Sequence, residues 1–186
     1  MTADNKSKLE KIVEEGLYGK PEIKKEEKKR FLGEFEERVI RYLTYDQVVE
    51  PGTYPQILEA IKDSVAHKLI IDRRVENKRA QDYIELAREN NLQFKRVDSP
   101  DFKGDIALVV VSDREIDVEN REVKNRQESL KSRGISDSII KNAGKKLCDD
   151  CWQELKEKAP EELINYQKMS WLDKVTGNKC VCQQEK

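Results

Sequence analysis

Ile106-Ala107-Leu108-Val109-Val110-Val111 is the stretch whose reading decides the fold. Six consecutive apolar residues, four of them β-branched, leave no polar face, so both sides of this strand need cover. Such a strand belongs at the centre of a sheet. Upstream, Val39 to Leu43 is a short β-rich run, and Lys68-Leu69-Ile70-Ile71 reads as a second buried strand. Leu92 to Val97 is half polar and suits a sheet edge.

Between these runs the spacing turns helical. Thr53-Tyr54-Pro55-Gln56 has the form of a capping box opening a helix, with Ile57, Leu58, Ile61 and Val65 on one face. Glu76 to Asn90 predicts an amphipathic helix that places Ala80, Tyr83, Ile84 and Ala87 together. The order is β-α-β-α-β-β. Two crossovers favour parallel pairs, and the short link from Asp98 to Asp105 turns the last strand back against the others. An α/β (α+β) fold with a mixed four-stranded sheet follows, occupying residues 36–123.

The flanks differ in kind. Residues 1–35 are dense in charge and predict one or two surface helices, with Leu9, Ile12 and Val13 at helical spacing. After Asp113 charge returns, as a linker or solvated helix. Residues 124–186 predict a helical module in which Ser136 caps one helix, Pro160 opens another and Ser170 to Asp173 forms a capping box.

Composition sets limits on function. Of 186 residues 39% are charged, yet the net charge is −1, so no global field recruits nucleic acid or an anionic membrane. With 8 Gly and 5 Pro, long loops are few. No apolar run approaches the roughly 20 residues that span a bilayer, and Met1 to Asn5 carries no signal-peptide pattern. The expectation is a soluble cytoplasmic protein.

Cys148-Asp149-Asp150-Cys151 and Cys180-Val181-Cys182 hold all four cysteines, with 28 residues between the pairs. Two tight pairs in an intracellular chain point to a metal more readily than to disulfides. Zinc takes four thiolates in a tetrahedron; a Cys-x-x-Cys turn supplies two, and an extended Cys-x-Cys turns two more to one side. Lys145, Lys146 and Lys179 stand near enough in sequence to offset thiolate charge. A filled four-ligand site is structural, since catalytic zinc keeps one position open. Four plain reduced thiols and a redox Cys-x-x-Cys remain as alternatives, although no strand is expected before Cys148, as a thioredoxin-type motif would need.

Other candidates are weaker. His67, the only histidine, precedes an apolar strand and reads as a boundary residue. Arg73-Arg74, Lys78-Arg79 and Lys95-Arg96 would form a phosphate-contacting edge if they converged. Residues 67–98 nevertheless hold eight Lys/Arg against six Asp/Glu, which favours a solvated surface. Arg38, Thr44 and Gln47 flank the first strand and are candidate ligand-binding residues, because crevices in α/β sheets open at strand carboxyl ends. The bland alternative has Glu37 and Arg38 pairing with neighbouring helices.

Leu32-Gly33-Glu34-Phe35-Glu36-Glu37-Arg38-Val39, followed by Leu43-Thr44 and Gln47-Val48, resembles the YueI-like family of small, functionally uncharacterised Gram-positive bacterial proteins. Gly16 to Pro21 and Ile106 to Asp113 add to the likeness, which spans about residues 10–123. The resemblance implies the fold class shared by the Bacillus-type chorismate mutase and the ribosomal proteins that grip kinked RNA. It implies no activity and leaves the cysteines outside the family core. The functional expectation is a non-catalytic binding or interaction module with a protein partner, a possible structural zinc site and no membrane. An RNA-associated protein and a small-molecule enzyme are the alternatives.

Overall fold

The computed structural model describes residues 25–176 and 179–183. Helix α1 (Lys25–Arg30) leads through a 3-10 turn, Glu36–Arg38, into β1 (Val39–Thr44), α2 (Tyr45–Val49) and α3 (Pro55–Lys62). Then come β2 (Ala66–Asp72), α4 (Asn77–Glu89), β3 (Gln93–Val97) and β4 (Ile106–Ser112). The expected helices around Leu9 to Val13 lie outside the described residues.

The four strands form one mixed sheet in the order β1-β4-β2-β3. Strand β4 runs antiparallel to both β1 and β2, while β2 and β3 pair in parallel. The apolar run is therefore internal, and all seven residues of β4 are buried. Of the two expected parallel pairs only β2–β3 is adjacent, because β4 inserts between β1 and β2. Polar β3 takes the edge, as its composition demanded.

Each face of the sheet has its own cover. Leu43, Leu69, Ile71, Leu108 and Val110 pack with Ile57 and Ile61 of α3 and with Tyr83 and Ile84 of α4. On the other face Ile70, Val109 and Val111 meet Phe31 and Leu32 of the turn that follows α1. Phe31 and Tyr42 stand edge to face there, their centroids 5.8 Å apart. Leu32 (φ 55°) and Gly33 (φ 96°) are consecutive left-handed residues. Burial of the Leu32 side chain offsets the cost of that conformation for a branched residue.

Two local expectations are corrected. Thr53 does not cap α3: Tyr54 takes the N-cap position without a side-chain bond, and Thr53 turns to Asn165. A capping box forms instead one element earlier, where Thr44 and Gln47 close the start of the unforeseen helix α2. The charged segment after Asp113 is also no free linker. It runs along the outer side of β1, with Glu122 bridged to Tyr42 and the Arg121 side chain bound to the carbonyls of Glu36, Ile116 and Val118.

The chain continues through α5 (Arg126–Ser132), α6 (Asp137–Ile140), β5 (Lys146–Leu147) and α7 (Asp149–Lys158). A 3-10 helix (Pro160–Asn165), β6 (Gln167–Lys168), α8 (Trp171–Val175) and a last 3-10 turn (Val181–Gln183) complete it. Leu130, Ile139, Ile140, Leu147, Leu155 and Val181 centre a separate core. Ser136 stands at the N-cap of α6 without a capping bond, whereas Ser170 and Asp173 form the expected box at α8.

A buried polar seam joins this module to the sheet. Arg126 donates to Glu162 at 2.7 Å, to Tyr166 Oη and to the Pro51 carbonyl. Asn165 bonds the backbone of Thr53 in both directions. Gly52 sits against the seam in a left-handed conformation (φ +86°), and a Cβ there would lie 2.8 Å from Ala143 Cβ and Asn165 Oδ1. Among the described residues no helix is long and apolar enough to cross a membrane.

Candidate metal centre

The two cysteine pairs meet at the N-terminus of α7. Leu147 anchors the approach from within the second core, and pairing of β5 with β6 fixes the strand just before Cys148. Cys148 occupies the N-cap position and Cys151 the first turn, so helical geometry sets their spacing. Cys180 and Cys182 arrive from the other side, across the 3-10 turn at Val181, whose side chain is buried. The second pair is thus presented by a tight turn rather than by extended chain.

The four Sγ atoms lie within 4.8 Å of one another. Cys148 and Cys182 are 3.9 Å apart and Cys151 and Cys180 3.8 Å. Zinc–sulfur bonds of about 2.3 Å in a tetrahedron put sulfurs about 3.8 Å apart. The donor set, its closeness and its soft chemistry fit a structural zinc ion, with all four positions supplied by the protein.

The surroundings graduate from dry to wet. Cys151 and Cys180 are buried, Cys148 is half-buried and Cys182 exposed. Burial opposes ionisation of Cys180, but the backbone N–H groups of Cys148 and Cys182, then their thiols, outweigh it and draw Cys180 down to about 7. The Cys148 N–H reaches Cys180 Sγ at 3.2 Å. Burial, reinforced by neighbouring thiols, pushes Cys151 up, and burial with the Cys180 thiol pushes Cys182 up to about 11. One sulfur is therefore poised near neutrality as the thiolate that metals bind.

Two expectations around the cluster are revised. A strand does precede Cys148, though only two residues long; the second cysteine pair crowds the first and makes a four-thiol set of what would otherwise resemble a redox motif. Lys146, expected to balance thiolate charge, pairs instead with Asp173 at 2.7 Å and braces the capping box of α8.

The other sequence candidates are distributed as follows. Thr44 and Gln47 come together beside an open cleft of 550 Å3 whose lining includes Asp46, Glu122 and Glu128. Gln47 is spent on structure: its Oε1 accepts the Thr44 N–H and its Nε2 donates to the Val123 carbonyl. Arg38 stands at the opposite end of β1, 6.0 Å from the Phe35 ring, and does not join them. His67 is exposed at the start of β2. The Arg126–Glu162 seam was not foreseen, because nothing in a run of alternating charges marks which residue will be buried.

Comparison with known proteins covers the first two thirds of the chain. The family model described as "Protein of unknown function (DUF1694)" matches residues 6–122. The chain belongs to this family. The uncharacterized protein YueI of Bacillus subtilis (strain 168) is 28% identical over 131 residues, covering 70% of this chain and 97% of that protein. The crystal structure of YueI from Bacillus subtilis aligns with a TM-score of 0.53 at 27% identity, over 64% of this chain and 93% of that one. The family match ends before Cys148, so all four cysteines lie outside it.

Proposed function

We propose that this chain is a non-catalytic interaction module of the cytoplasm, a family α/β domain carrying a zinc-stapled C-terminal cap. The reading rests on one observation: four sulfurs gather within 4.8 Å of one another, two of the pairs at 3.8 and 3.9 Å, enough to fill a tetrahedral site without water or substrate. A closed site of this kind contributes folding free energy rather than chemistry. The resemblance of the β-α-β-α-β-β domain to the Bacillus-type chorismate mutase fold belongs to the same proposal, as a scaffold on which the cap was added.

The cap's surface supports the choice of a protein partner. Trp171 is 70% exposed and Leu172 54% exposed, a large apolar pair presented to solvent. The helix carrying them is held at its start by the Ser170–Asp173 box and the Lys146–Asp173 ion pair. An exposed tryptophan on a capped helix is the residue type that anchors protein interfaces.

Elemental analysis tests the metal: about one zinc per chain is expected, with residues 135–183 losing protection from hydrogen exchange when a chelator is added. Metal-free protein with an unchanged cap would remove the proposal. Capture from cytoplasm that survives nuclease and is lost in Trp171→Ala supports the interaction reading; capture that nuclease abolishes goes against it.

A further inference from the structure

A second feature lies on the family domain itself, at the carboxyl ends of the parallel strands β2 and β3. Arg73 directly follows β2, and Lys95, Arg96 and Val97 close β3. The returning loop brings Phe102 opposite, and the left-handed Leu32–Gly33 turn forms the remaining wall. Together they line an open, shallow cleft of 480 Å3, a volume in the range of small-ligand sites.

Its charge is lopsided. Arg73, Lys95 and Arg96 line the cleft against a single acid, Asp98. Among the described residues no carboxylate pairs with Arg73 or Lys95, whereas adjacent Arg74 is taken up by Asp72 at 2.7 Å. Arg96 is held without being neutralised. It donates to Asn77 Oδ1 at 2.5 Å and to the carbonyls of Arg73 and Val75 at 3.0 and 2.6 Å, all uncharged acceptors. Its Nε is enclosed and has no partner among the described residues.

The Arg96 guanidinium therefore ties down the loop that carries Arg73 through uncharged acceptors alone. Leu32, Val97 and Phe102 supply an apolar wall, and all three pack against the small core beneath α1. Cations without carboxylate partners beside an aromatic ring and an apolar wall suit a ligand that is anionic at one end and flat at the other. We propose that this cleft binds a small phosphorylated molecule of the nucleoside monophosphate class. Arg73 and Lys95 would contact the phosphate, with Phe102 against the base. The position agrees with the rule that ligands of α/β sheets sit outside strand carboxyl ends.

The geometry favours a small ligand over a polynucleotide. The other basic pair of this region, Lys78-Arg79, lines a different cleft among Asp82, Glu85 and Glu89 and does not extend the patch. Polynucleotide binding draws on many unopposed cations acting together, and this cleft offers two, Arg73 and Lys95, without a carboxylate partner among the described residues.

Calorimetric titration of the full chain with adenosine monophosphate, adenosine, inorganic phosphate and a short single-stranded RNA tests the proposal. Saturable binding of the nucleotide is expected, tighter than either of its halves. The double variant Arg73→Ala/Lys95→Ala should weaken it at least tenfold, and Phe102→Ala should weaken the nucleotide while leaving inorganic phosphate unchanged. Both cations are exposed and only the backbone of Arg73 is used structurally, so circular dichroism should show the double variant folded. The proposal fails if the nucleotide gives no saturable signal, or if a folded double variant binds it equally well. It fails equally if the RNA binds through these residues more tightly than the mononucleotide.

Discussion

The sheet and the cap solve the same problem with different means. Strand β4 is buried along its whole length, with helices α3 and α4 on one face and Phe31 and Leu32 on the other. Apolar area alone can hold such an arrangement, at roughly 25 cal/mol per Å2 removed from water. The cap has shorter elements, including two-residue strands and a four-residue helix. Its core includes two of its own cysteines, Cys151 and Cys180. Where regular structure is this short, a metal held by the four cysteines would add stability that burial alone supplies less readily.

The sharpest way to break this contrast is to remove one sulfur. Cys151→Ser should abolish zinc binding, because zinc ligation free energy is worth roughly 10 kcal/mol or more in small metal-folded modules. Hydrogen exchange should then rise across α6, β5 and α7 while β2 and β4 keep their protection. Equal loss in both regions would show that sheet and cap form one cooperative unit.

The two regions also differed in how far they could be read in advance. The apolar run of β4 announces its own burial, and the spacing of Ala80, Tyr83, Ile84 and Ala87 announces α4, because each pattern is local and repeats. The cysteine pairs were legible for a similar reason: two close doublets of one rare residue are informative even when their meeting point is unknown. The seam was not. Thr53 meets Asn165 and Arg126 meets Glu162 across long stretches of chain, and the fate of a polar residue depends on a partner no local pattern specifies. Thr53 and Thr44 make the point together. Each is followed three residues on by glutamine, yet only Thr44 caps a helix, because Asn165 claims the other.

Cutting the seam is the next largest perturbation. The Arg126 and Glu162 side chains are 2% and 5% exposed, so Glu162→Ala strands a buried guanidinium and should cost about 3–5 kcal/mol in chemical denaturation. Arg126→Met/Glu162→Leu removes both charges and should recover much of that loss. If the double variant is no better than the single, the seam acts through its bonds to Pro51, Tyr166 and Asn165 rather than through charge.

Gly52→Ala tests the same junction by shape. The added methyl meets Ala143 and Asn165 at 2.8 Å, and the backbone is already left-handed. A cost of about 2 kcal/mol is expected, with zinc content unchanged. Loss of zinc would mean that the cap depends on docking to hold its metal.

The smallest effect concerns Glu50, which accepts the Tyr54 hydroxyl at 3.0 Å beside the seam. Burial pushes its carboxyl above the usual carboxylate range, although Tyr54 and the charge of Arg126 pull the other way. A folded-state pKa above the unfolded one means that the native state prefers the protonated acid. Stability is therefore full at low pH and declines as pH rises through the unfolded and then the folded value. Glu50→Gln keeps an acceptor for Tyr54 and removes the charge. Its thermal midpoint should exceed that of the natural protein at neutral pH, by on the order of 1 °C given partial solvent screening. The difference should close as the medium is acidified below the carboxylate range. A variant less stable at neutral pH would show instead that the carboxylate is held by Arg126, and that the charge network of the seam reaches as far as the start of the third helix.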